Sequence, residues 1–189
     1  LESSAWGRGN LERMKRRLEE KGLAFVQIEA FNRGDIDFPL RLSRIANANA
    51  DVIILIAKPI EAQLLFNQMA QQQTPLPVIS HWGIVGGDFW KKSRSALQKV
   101  DLRFFQTFSF LTKLNPRAKT LAKSYLKRYG LDVARHIQAP SGVAHSYDLV
   151  HLLALAIKQA GTTDRQAIRD QLENLQPYQG VVKYYKPAF

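Results

Sequence analysis

The segment that most constrains the fold is DVIILIA, residues 51–57, a short and unbroken apolar run. A run of this length predicts a strand that is buried on both faces. Strands of that kind belong to parallel sheets, which helices cover on both sides. The rest of the chain must therefore supply further strands beside this one, and helices above and below it.

The first 108 residues alternate between helical and strand patterns in the way that such a sheet requires. Asn10 predicts the cap of a helix that ends at Gly22, and further helices are predicted to begin with a cap at Asp37 and at Pro59. Strands are predicted in LAFVQIEAF (Leu23 to Phe31), DVIILIA, PVISHW and RFFQTF (Arg103 to Phe108). The core-facing positions predicted for the three helices are Leu11, Met14, Leu18, Phe38, Leu42, Ile45, Ile60, Leu64, Leu65 and Met69. This order predicts an α/β fold, a three-layer α/β/α doubly wound parallel sheet.

From about residue 113 the chain turns mainly helical. Helices are predicted in NPRAKTLAKSYLKRYG, in SGVAHSYDLVHLLALAIKQAG and in TDRQAIRDQLENL, and a closing strand in QGVVKYYKPAF. The middle helix is apolar on nearly every side from Val143 to Ile157, which predicts burial all round. Its sequence neighbours hardly suffice to cover it. The cover must come from the first half of the chain, a segment outside this chain or a second copy.

Composition and charge exclude several classes of function. The chain has no cysteine, which rules out disulfides, thiolate zinc sites and cysteine nucleophiles and fits an oxidising compartment. The net charge of +11 raises the question of nucleic-acid binding. However, the bases of ERMKRRLEEKG alternate with glutamates around a helix, and the others are scattered singly, which is typical of a solvated surface. We therefore expect no nucleic-acid partner, and a basic nucleic-acid-binding α/β domain stays as an alternative.

No arrangement of residues predicts catalysis, a cofactor or a metal site. His145, Asp148 and His151 form H-x-x-D-x-x-H on one helix, where steps of three residues turn the two histidines away from each other. We interpret them as polar groups that satisfy each other beside an apolar face. Ser80-His81 lacks the G-x-S-x-G motif of serine hydrolases. GIVGG matches neither the Walker loop, which needs G-K-[ST], nor the G-x-G-x-x-G spacing of dinucleotide-binding loops. The chain is expected not to be an enzyme.

Three loops follow the carboxyl ends of strands, where open α/β sheets bind their ligands. Two of them carry a tryptophan beside a glycine, in SSAWGRG and in SHWG. The flat indole faces can cover an apolar ligand. The alternative is that the indoles belong to the hydrophobic core at this end of the sheet. The residues predicted to line a ligand site are Ser4, Ala5, Trp6, Lys58, Pro59, His81, Trp82 and Gly83.

Four segments carry a resemblance to a known family. They are SSAWGRGNLERMKRRLEEKG, FNRGDIDFPLRLSRIANANADVIIL, IEAQLLFNQMAQQQTPLPVISHWGIVGGDF and GVAHSYDLVHLLALAIKQAGTTDRQAIRDQLENLQPYQGVV. In this order they cover nearly the whole chain, and they resemble the type I periplasmic binding proteins. These are the solute receptors of branched-chain amino-acid ABC transporters and their sensor relatives. The resemblance depends on the combination of five pieces, each of which is weak alone: W-G-R-G, N-R-G-D-x-D-F, A-D-V-I, S-H-W-G and A-x-x-Y-D-x-V-H-L-L.

The resemblance implies a receptor of two doubly wound lobes that closes over a solute. Residues 1–110 then form most of the second lobe, without its first strand, and residues 113–189 form the mainly helical return to the first lobe. Trp6 falls where the family places an aromatic ring over the ligand, while Lys58-Pro59 and His81-Trp82-Gly83 fall on two further cleft loops. The implied function is solute binding in the periplasm for an ABC transporter, whose membrane subunits are the partners. A ligand-sensing domain of a membrane signalling receptor is the alternative within the same family.

The chain departs from the family's pattern in ways that limit what the resemblance implies. The sheet of the first lobe, with a loop that grips the solute carboxylate, would lie before Leu1, so we expect a chain truncated at its N-terminus. Such a chain is expected to associate with itself, to swap segments or to expose an apolar patch. The third loop carries no acid before Asp88 to hold an ammonium group. Amino acids, aliphatic or aromatic carboxylates and substituted amides are therefore all open as solutes.

Overall fold

The computed structural model describes residues 1–186 and divides the chain into two compact units. Unit 1 comprises Leu1–Phe105, and unit 2 comprises Gln106–Phe189. Among the described residues, no helix combines the length and the apolar character that crossing a bilayer requires.

Unit 1 alternates helices with the strands of a parallel sheet. Its elements are α1 (Ala5–Glu19), α2 (Pro39–Asn47), β1 (Ile53–Leu55), α3 (Pro59–Met69), β2 (Val78–His81), α4 (Phe89–Lys92) and β3 (Leu102–Phe105). The strands lie in the order β1-β2-β3, and every pair is parallel. Ile53 lies opposite Val78, which in turn lies opposite Leu102. The predicted α/β fold with a parallel sheet is confirmed.

The core of unit 1 lies where α2, α3 and α4 cover this sheet. Its largest fully buried side chains are Phe38, Phe66, Phe89, Met69, Ile84, Val78 and Val100. The rings of Phe66 and Phe89 meet edge to face, with centroids 5.6 Å apart. Ile60 was predicted to join this core and is instead exposed. The buried face of α3 runs through Ala62, Leu65 and Met69, and Ile60 lies off that face.

The first three residues form the end of a further parallel strand. Leu1 donates to the Glu29 carbonyl at 2.8 Å and accepts from the Phe31 N–H at 3.0 Å. On the other side, Glu2 donates to the Ile56 carbonyl at 2.9 Å. Leu1–Ser3 therefore lie between the Phe31 segment and β1.

The strand predicted from Leu23 to Phe31 is wrong except at its end. Phe31 forms an isolated parallel bridge with Glu2, and residues 23–30 form no strand, with a bend at Val26. A strand exists only where a neighbour takes up its main-chain hydrogen bonds. Leu1–Ser3 supply that neighbour at Glu29 and Phe31.

Two helices begin differently from the sequence prediction. α1 begins at Ala5 rather than after Asn10, because the Ser4 hydroxyl caps it by accepting from the Gly7 N–H at 3.3 Å. Asn10 lies inside the helix, where its amide donates to the Trp6 carbonyl at 2.9 Å. At α2 the cap position is Phe38, without a side-chain cap bond, so Asp37 does not cap the helix.

Unit 2 contains three helices followed by a small hairpin. Its elements are α5 (Pro116–Tyr129), α6 (Pro140–Ala160), α7 (Arg165–Glu173), β4 (Tyr178–Gln179) and β5 (Tyr184–Tyr185). The three helices match the prediction. The closing strand predicted in QGVVKYYKPAF is wrong for the described residues, because β4 and β5 pair as an antiparallel hairpin. The last three residues of that prediction lie outside the described residues.

A buried carboxylate on α6 holds this hairpin in place. One oxygen of Asp148, Oδ1, accepts from the Val181 N–H at 2.6 Å. The other, Oδ2, accepts from the Val182 N–H at 2.9 Å and from the Tyr185 hydroxyl at 3.0 Å. Gly180 allows this approach, since a Cβ there would lie 2.5 Å from Oδ2. The Val181 and Val182 N–H groups and the Tyr185 hydroxyl are therefore all paired with one side chain.

One face of α6 is covered and the opposite face is open. Ala144, Asp148, Leu152 and Ala156 are buried at four-residue spacing. Leu149, Val150 and Leu153 are exposed, Val150 by 66%. The prediction that this helix is buried all round is therefore wrong for the chain as described.

Candidate functional site

The three predicted loops all follow carboxyl ends of neighbouring parallel strands. Ser4-Ala5-Trp6 follows the Leu1–Ser3 pairing, Lys58-Pro59 follows β1, and His81-Trp82-Gly83 covers the end of β2 and the turn after it. Because parallel strands end at the same edge of a sheet, these loops meet there. We call these eight residues the rim.

Trp6 lies in the first turn of α1, so the prediction that it sits in a loop is wrong. Its side chain is 41% exposed. The indole meets the His81 ring edge-on, with centroids 5.2 Å apart and planes at 70°. The glycine beside it serves close packing, since a Cβ on Gly7 would lie 1.8 Å from the Glu2 carbonyl oxygen. The helix is thus pressed onto the first strand while the indole stays accessible.

His81 is held in one orientation by the turn that it begins. Its Nδ1 accepts from the Gly83 N–H at 3.0 Å, and a Cβ on Gly83 would lie 2.2 Å from the imidazole. Burial lowers the pKa of His81, and the nearby Ala57 carbonyl partly opposes that shift. A neutral imidazole that accepts at Nδ1 carries its proton at Nε2. The buried Nε2 has no hydrogen-bond partner among the described residues.

Lys58 brings a positive charge to the rim beside a buried acid. Its Nζ lies 3.9 Å from Oε1 of Glu2, whose side chain is almost fully buried. The other oxygen of Glu2, Oε2, is buried without a hydrogen-bond partner in the described part of the chain. Lys58 also holds the cap position of α3, with Pro59 at its first turn. The pair links the first loop of the rim to the second.

The other two tryptophans have different surroundings. Trp82 opens a short 3₁₀ turn and is half-buried against the core of unit 1. Trp90 lies on α4, 46% exposed, and packs against Phe89 and Phe104. Trp6 is therefore the more open of the two rim indoles.

The structure shows two contacts here: Trp6 of the first loop meets His81 of the third, and Lys58 of the second loop lies beside Glu2, which precedes the first loop. Sequence reasoning missed Glu2 as a neighbour of the rim. The available signal was an acid directly before Ser3-Ser4, at the end of a strand. Together these groups offer an aromatic surface, a neutral imidazole and an ammonium group, which suit recognition of a small solute.

The three polar residues of the H-x-x-D-x-x-H pattern, His145, Asp148 and His151, each interact with a separate partner rather than with one another. His145 bonds to the Thr107 hydroxyl at 2.7 Å, and Asp148 holds the hairpin. His151 lies near the rings of Tyr147 and Tyr178, at 4.4 and 6.3 Å between centroids. Within residues 1–186, no three His, Cys, Asp or Glu side chains gather as a metal site would need.

Residues 2–186 match the profile of a family described as periplasmic binding protein. The chain belongs to this family. Members of the periplasmic binding protein family bind solutes rather than catalyse reactions.

Individual relatives of this periplasmic binding protein cover about twice its length. The Leu/Ile/Val-binding protein homolog 1 of Brucella suis is 25% identical over 181 residues, which are 96% of this chain and 46% of that protein. A type 1 periplasmic binding protein of Bordetella pertussis superposes with a TM-score of 0.85 at 24% identity, over 98% of this chain and 51% of the other. The substrate-binding protein LivJ of Streptococcus pneumoniae, in complex with isoleucine, gives 0.78 at 24% identity, over 96% and 49%. The two structures establish the fold, and the chain spans about half the length of such proteins.

Proposed function

We propose that this chain supplies one wall of a solute cleft in an extracytoplasmic receptor, with the rim as the contact surface. The observation that carries the proposal is the exposed Trp6 indole, held edge-on against His81 where parallel strands end. An aromatic ring with one open face covers apolar parts of a ligand, and nearby polar groups fix its orientation. In this proposal unit 1 belongs to the second lobe of the family fold, and unit 2 belongs to the first.

The proposed solute is a small amino acid-like molecule or an aliphatic or aromatic carboxylate. The Lys58 ammonium, which is partly exposed at the rim, would attract the carboxylate. The rim has one acid nearby, Glu2, and its side chain is buried and paired with Lys58. A carboxylate therefore suits the rim better than a bare ammonium does. The names of the relatives support this class, since they are Leu/Ile/Val-binding proteins.

The proposed mechanism is closure of two lobes over the solute, which then passes to the membrane subunits of an ABC transporter. The family match supports both the transporter as partner and the periplasm as location.

Calorimetric titration of the chain with isoleucine, valine and benzoate tests the role of the rim. Trp6→Ala is expected to weaken binding about 10-fold, because a covering aromatic contact contributes about 1–1.5 kcal/mol. Trp90→Ala is the matched control, since it removes an equally exposed indole outside the rim. Equal affinity in the parent chain and Trp6→Ala, or an equal loss in Trp90→Ala, would contradict the proposal.

A further inference from the structure

One side of α5 in unit 2 carries positive charge alone. At 3.6 residues per turn, Lys119, Lys123 and Lys127 follow one another about 6 Å apart along the helix, each turned by about 40° from the last. Arg128 lies about 100° beyond Lys127, and hydroxyl side chains hold the positions between them. We call this surface the lysine face, and its residues are Lys119, Thr120, Lys123, Ser124, Lys127 and Arg128.

The lysine face is exposed because the other side of α5 packs inside unit 2. Ala118 and Ala122 are buried, and the half-buried Leu121 and Tyr125 pack against the same apolar cluster as Ala122. All six residues of the lysine face are exposed. The apolar side therefore fixes which way the helix is turned, and the charged side chains point into solvent.

The cations of the lysine face have no counter-charge in the described part of the chain. From residue 102 to residue 147 the sequence has a single acid, Asp132, and α5 itself has none. Within residues 1–186, the four cations of the face form no ion pair. In the sequence they stand singly between apolar residues, and the helix brings them to one surface.

The stability of the helix does not account for this row of charges. Like charges four residues apart weaken a helix, and opposite charges at that spacing strengthen it. Lys119 with Lys123 and Lys123 with Lys127 are both like pairs. On α7 in the same unit, Arg169 instead donates to Glu173 at 3.1 Å, four residues along. The lysine face is therefore charge that the fold itself does not use, which favours an anion outside the chain.

The side chains of the lysine face suit a surface of mobile phosphate groups. The face includes no apolar or aromatic side chain, so it offers neither an anchor for a protein pocket nor a platform on which bases stack. The exposed Tyr129 lies on the opposite side of the helix, against the ring of Tyr125. Lysine binds phosphate as a point charge on a flexible stem, without fixed geometry. Lipid headgroups diffuse laterally, so they can gather beneath such charges without a matching shape.

We propose that the lysine face adsorbs the chain onto an anionic membrane surface, through the phosphate groups of lipid headgroups. Each basic residue near such a surface tightens binding about 5-fold. The attraction reaches about 8 Å at physiological salt, so no side chain has to enter the hydrocarbon. A receptor held in this way meets the membrane subunits by diffusion in two dimensions. That consequence rests on the proposed function, whereas adsorption itself does not.

Sedimentation with lipid vesicles measures the adsorption without any solute. The vesicles contain two parts of phosphatidylcholine to one part of phosphatidylglycerol, and pure phosphatidylcholine vesicles serve as the neutral control. The chain is expected to sediment with the anionic vesicles alone. It should be released at about 1 M salt, where the Debye length falls to about 3 Å.

The combined variant Lys119→Gln, Lys123→Gln and Lys127→Gln tests the face on the protein. It is expected to bind the anionic vesicles about 100-fold more weakly, which is about 5-fold for each of the three charges. The control variant has the same net charge and replaces three exposed lysines outside the face by glutamine: Lys15, Lys91 and Lys158. It should bind within about 3-fold of the parent chain, because charges beyond a Debye length are screened. Circular dichroism melts verify that both variants are folded.

A single label then shows which surface meets the membrane. The chain has no cysteine, so Ser124→Cys on the lysine face and Thr163→Cys elsewhere in unit 2 each carry one spin label. On anionic vesicles the label at position 124 is expected to be shielded from a water-soluble relaxation agent, and the label at position 163 to stay accessible.

Several outcomes overturn the proposal. They are absence of binding to the anionic vesicles, an equal loss in the two triple variants, and shielding at position 163 as large as at position 124. Tighter binding to a DNA duplex than to vesicles of equal phosphate concentration also overturns it, because the partner is then a nucleic acid. Calorimetric titration with solute is independent of these measurements, so the proposed function and this inference fail separately.

Discussion

The two units are stabilised in different ways, and they leave different groups exposed. Unit 1 is ordered by main-chain pairing between parallel strands, and its open feature is the exposed Trp6 indole at the rim. Unit 2 is ordered around the Asp148 side chain, and its open feature is the apolar stripe of Leu149, Val150 and Leu153. Main-chain pairing distributes the stability of unit 1 over many hydrogen bonds, whereas the buried Asp148 carboxylate concentrates the stability of unit 2 in one residue.

The chain permits this comparison to be measured in one sample. All three tryptophans lie in unit 1, and all six tyrosines lie in unit 2. Tryptophan emission excited at long wavelength therefore reports on unit 1. Tyrosine side-chain resonances report on unit 2.

The largest effect is expected from Asp148→Ala. The substitution leaves the Val181 and Val182 N–H groups and the Tyr185 hydroxyl without their acceptor inside unit 2. The expected cost is about 4 kcal/mol of unfolding free energy, by analogy with other buried polar groups that lose a partner. Urea unfolding followed by tyrosine resonances measures it, with exposed Asp170→Ala as the control. A tryptophan transition that shifts as far as the tyrosine transition would show that the units unfold together.

Gly7→Ala is expected to have the next largest effect, in unit 1. A methyl group there would lie 1.8 Å from the Glu2 carbonyl oxygen, so α1 must move off the first strand. The expected cost is about 3 kcal/mol, measured by urea unfolding with tryptophan emission.

Gly9→Ala is the matched control in the same helix, because nothing lies within 4 Å of a Cβ at that position. It should stabilise unit 1 by about 0.5–1 kcal/mol through helix propensity. Destabilisation by both alanines would refute the packing argument for Gly7.

The smallest effect is expected from a change of pH, which alters the free energy of unfolding with opposite signs in the two units. In unit 1, burial lowers the pKa of His81, so the corresponding stabilisation is present above pH 6.5 and lost as the pH falls through the lowered pKa. In unit 2, burial raises the pKa of Tyr185 to about 12, so that stabilisation is present below pH 10 and lost between 10 and 12.

Thermal melts between pH 5 and 8, and between pH 9 and 11, separate these two contributions. His81→Gln should remove the change below pH 6.5 from the tryptophan signal and leave the tyrosine signal as it was. A pH dependence that survives this substitution would assign it to other groups.

The parts of the fold that the sequence predicts are those where side-chain pattern alone decides. The apolar runs of β1 and β2 and the capped helices α5 and α7 are of this kind. Leu23–Phe31 has an equally strong strand pattern, yet strand formation depends on a neighbour that no local pattern records. Asn10 and Ser4 are both good cap residues, and the close approach that Gly7 permits favours the earlier start.

The candidate site likewise has features that the sequence pattern predicts and features that depend on residues distant in the chain. The three loops of the rim were found from the rule that ligands bind beyond strand ends. The Trp6–His81 contact and the buried Glu2 depend on distances that only the assembled sheet defines. Whether the rim binds solute stays a prediction.

The pairing of Leu1–Ser3 has a consequence for synthesis. These residues leave the ribosome before Glu29, Phe31 and Ile56, to which they bond. Loop closure must come before such distant contacts stabilise anything, so Glu2 stays without its partner on the β1 side until Ile56 has emerged. A chain whose translation stops before Ile56 therefore lacks the contact that joins the first strand to β1.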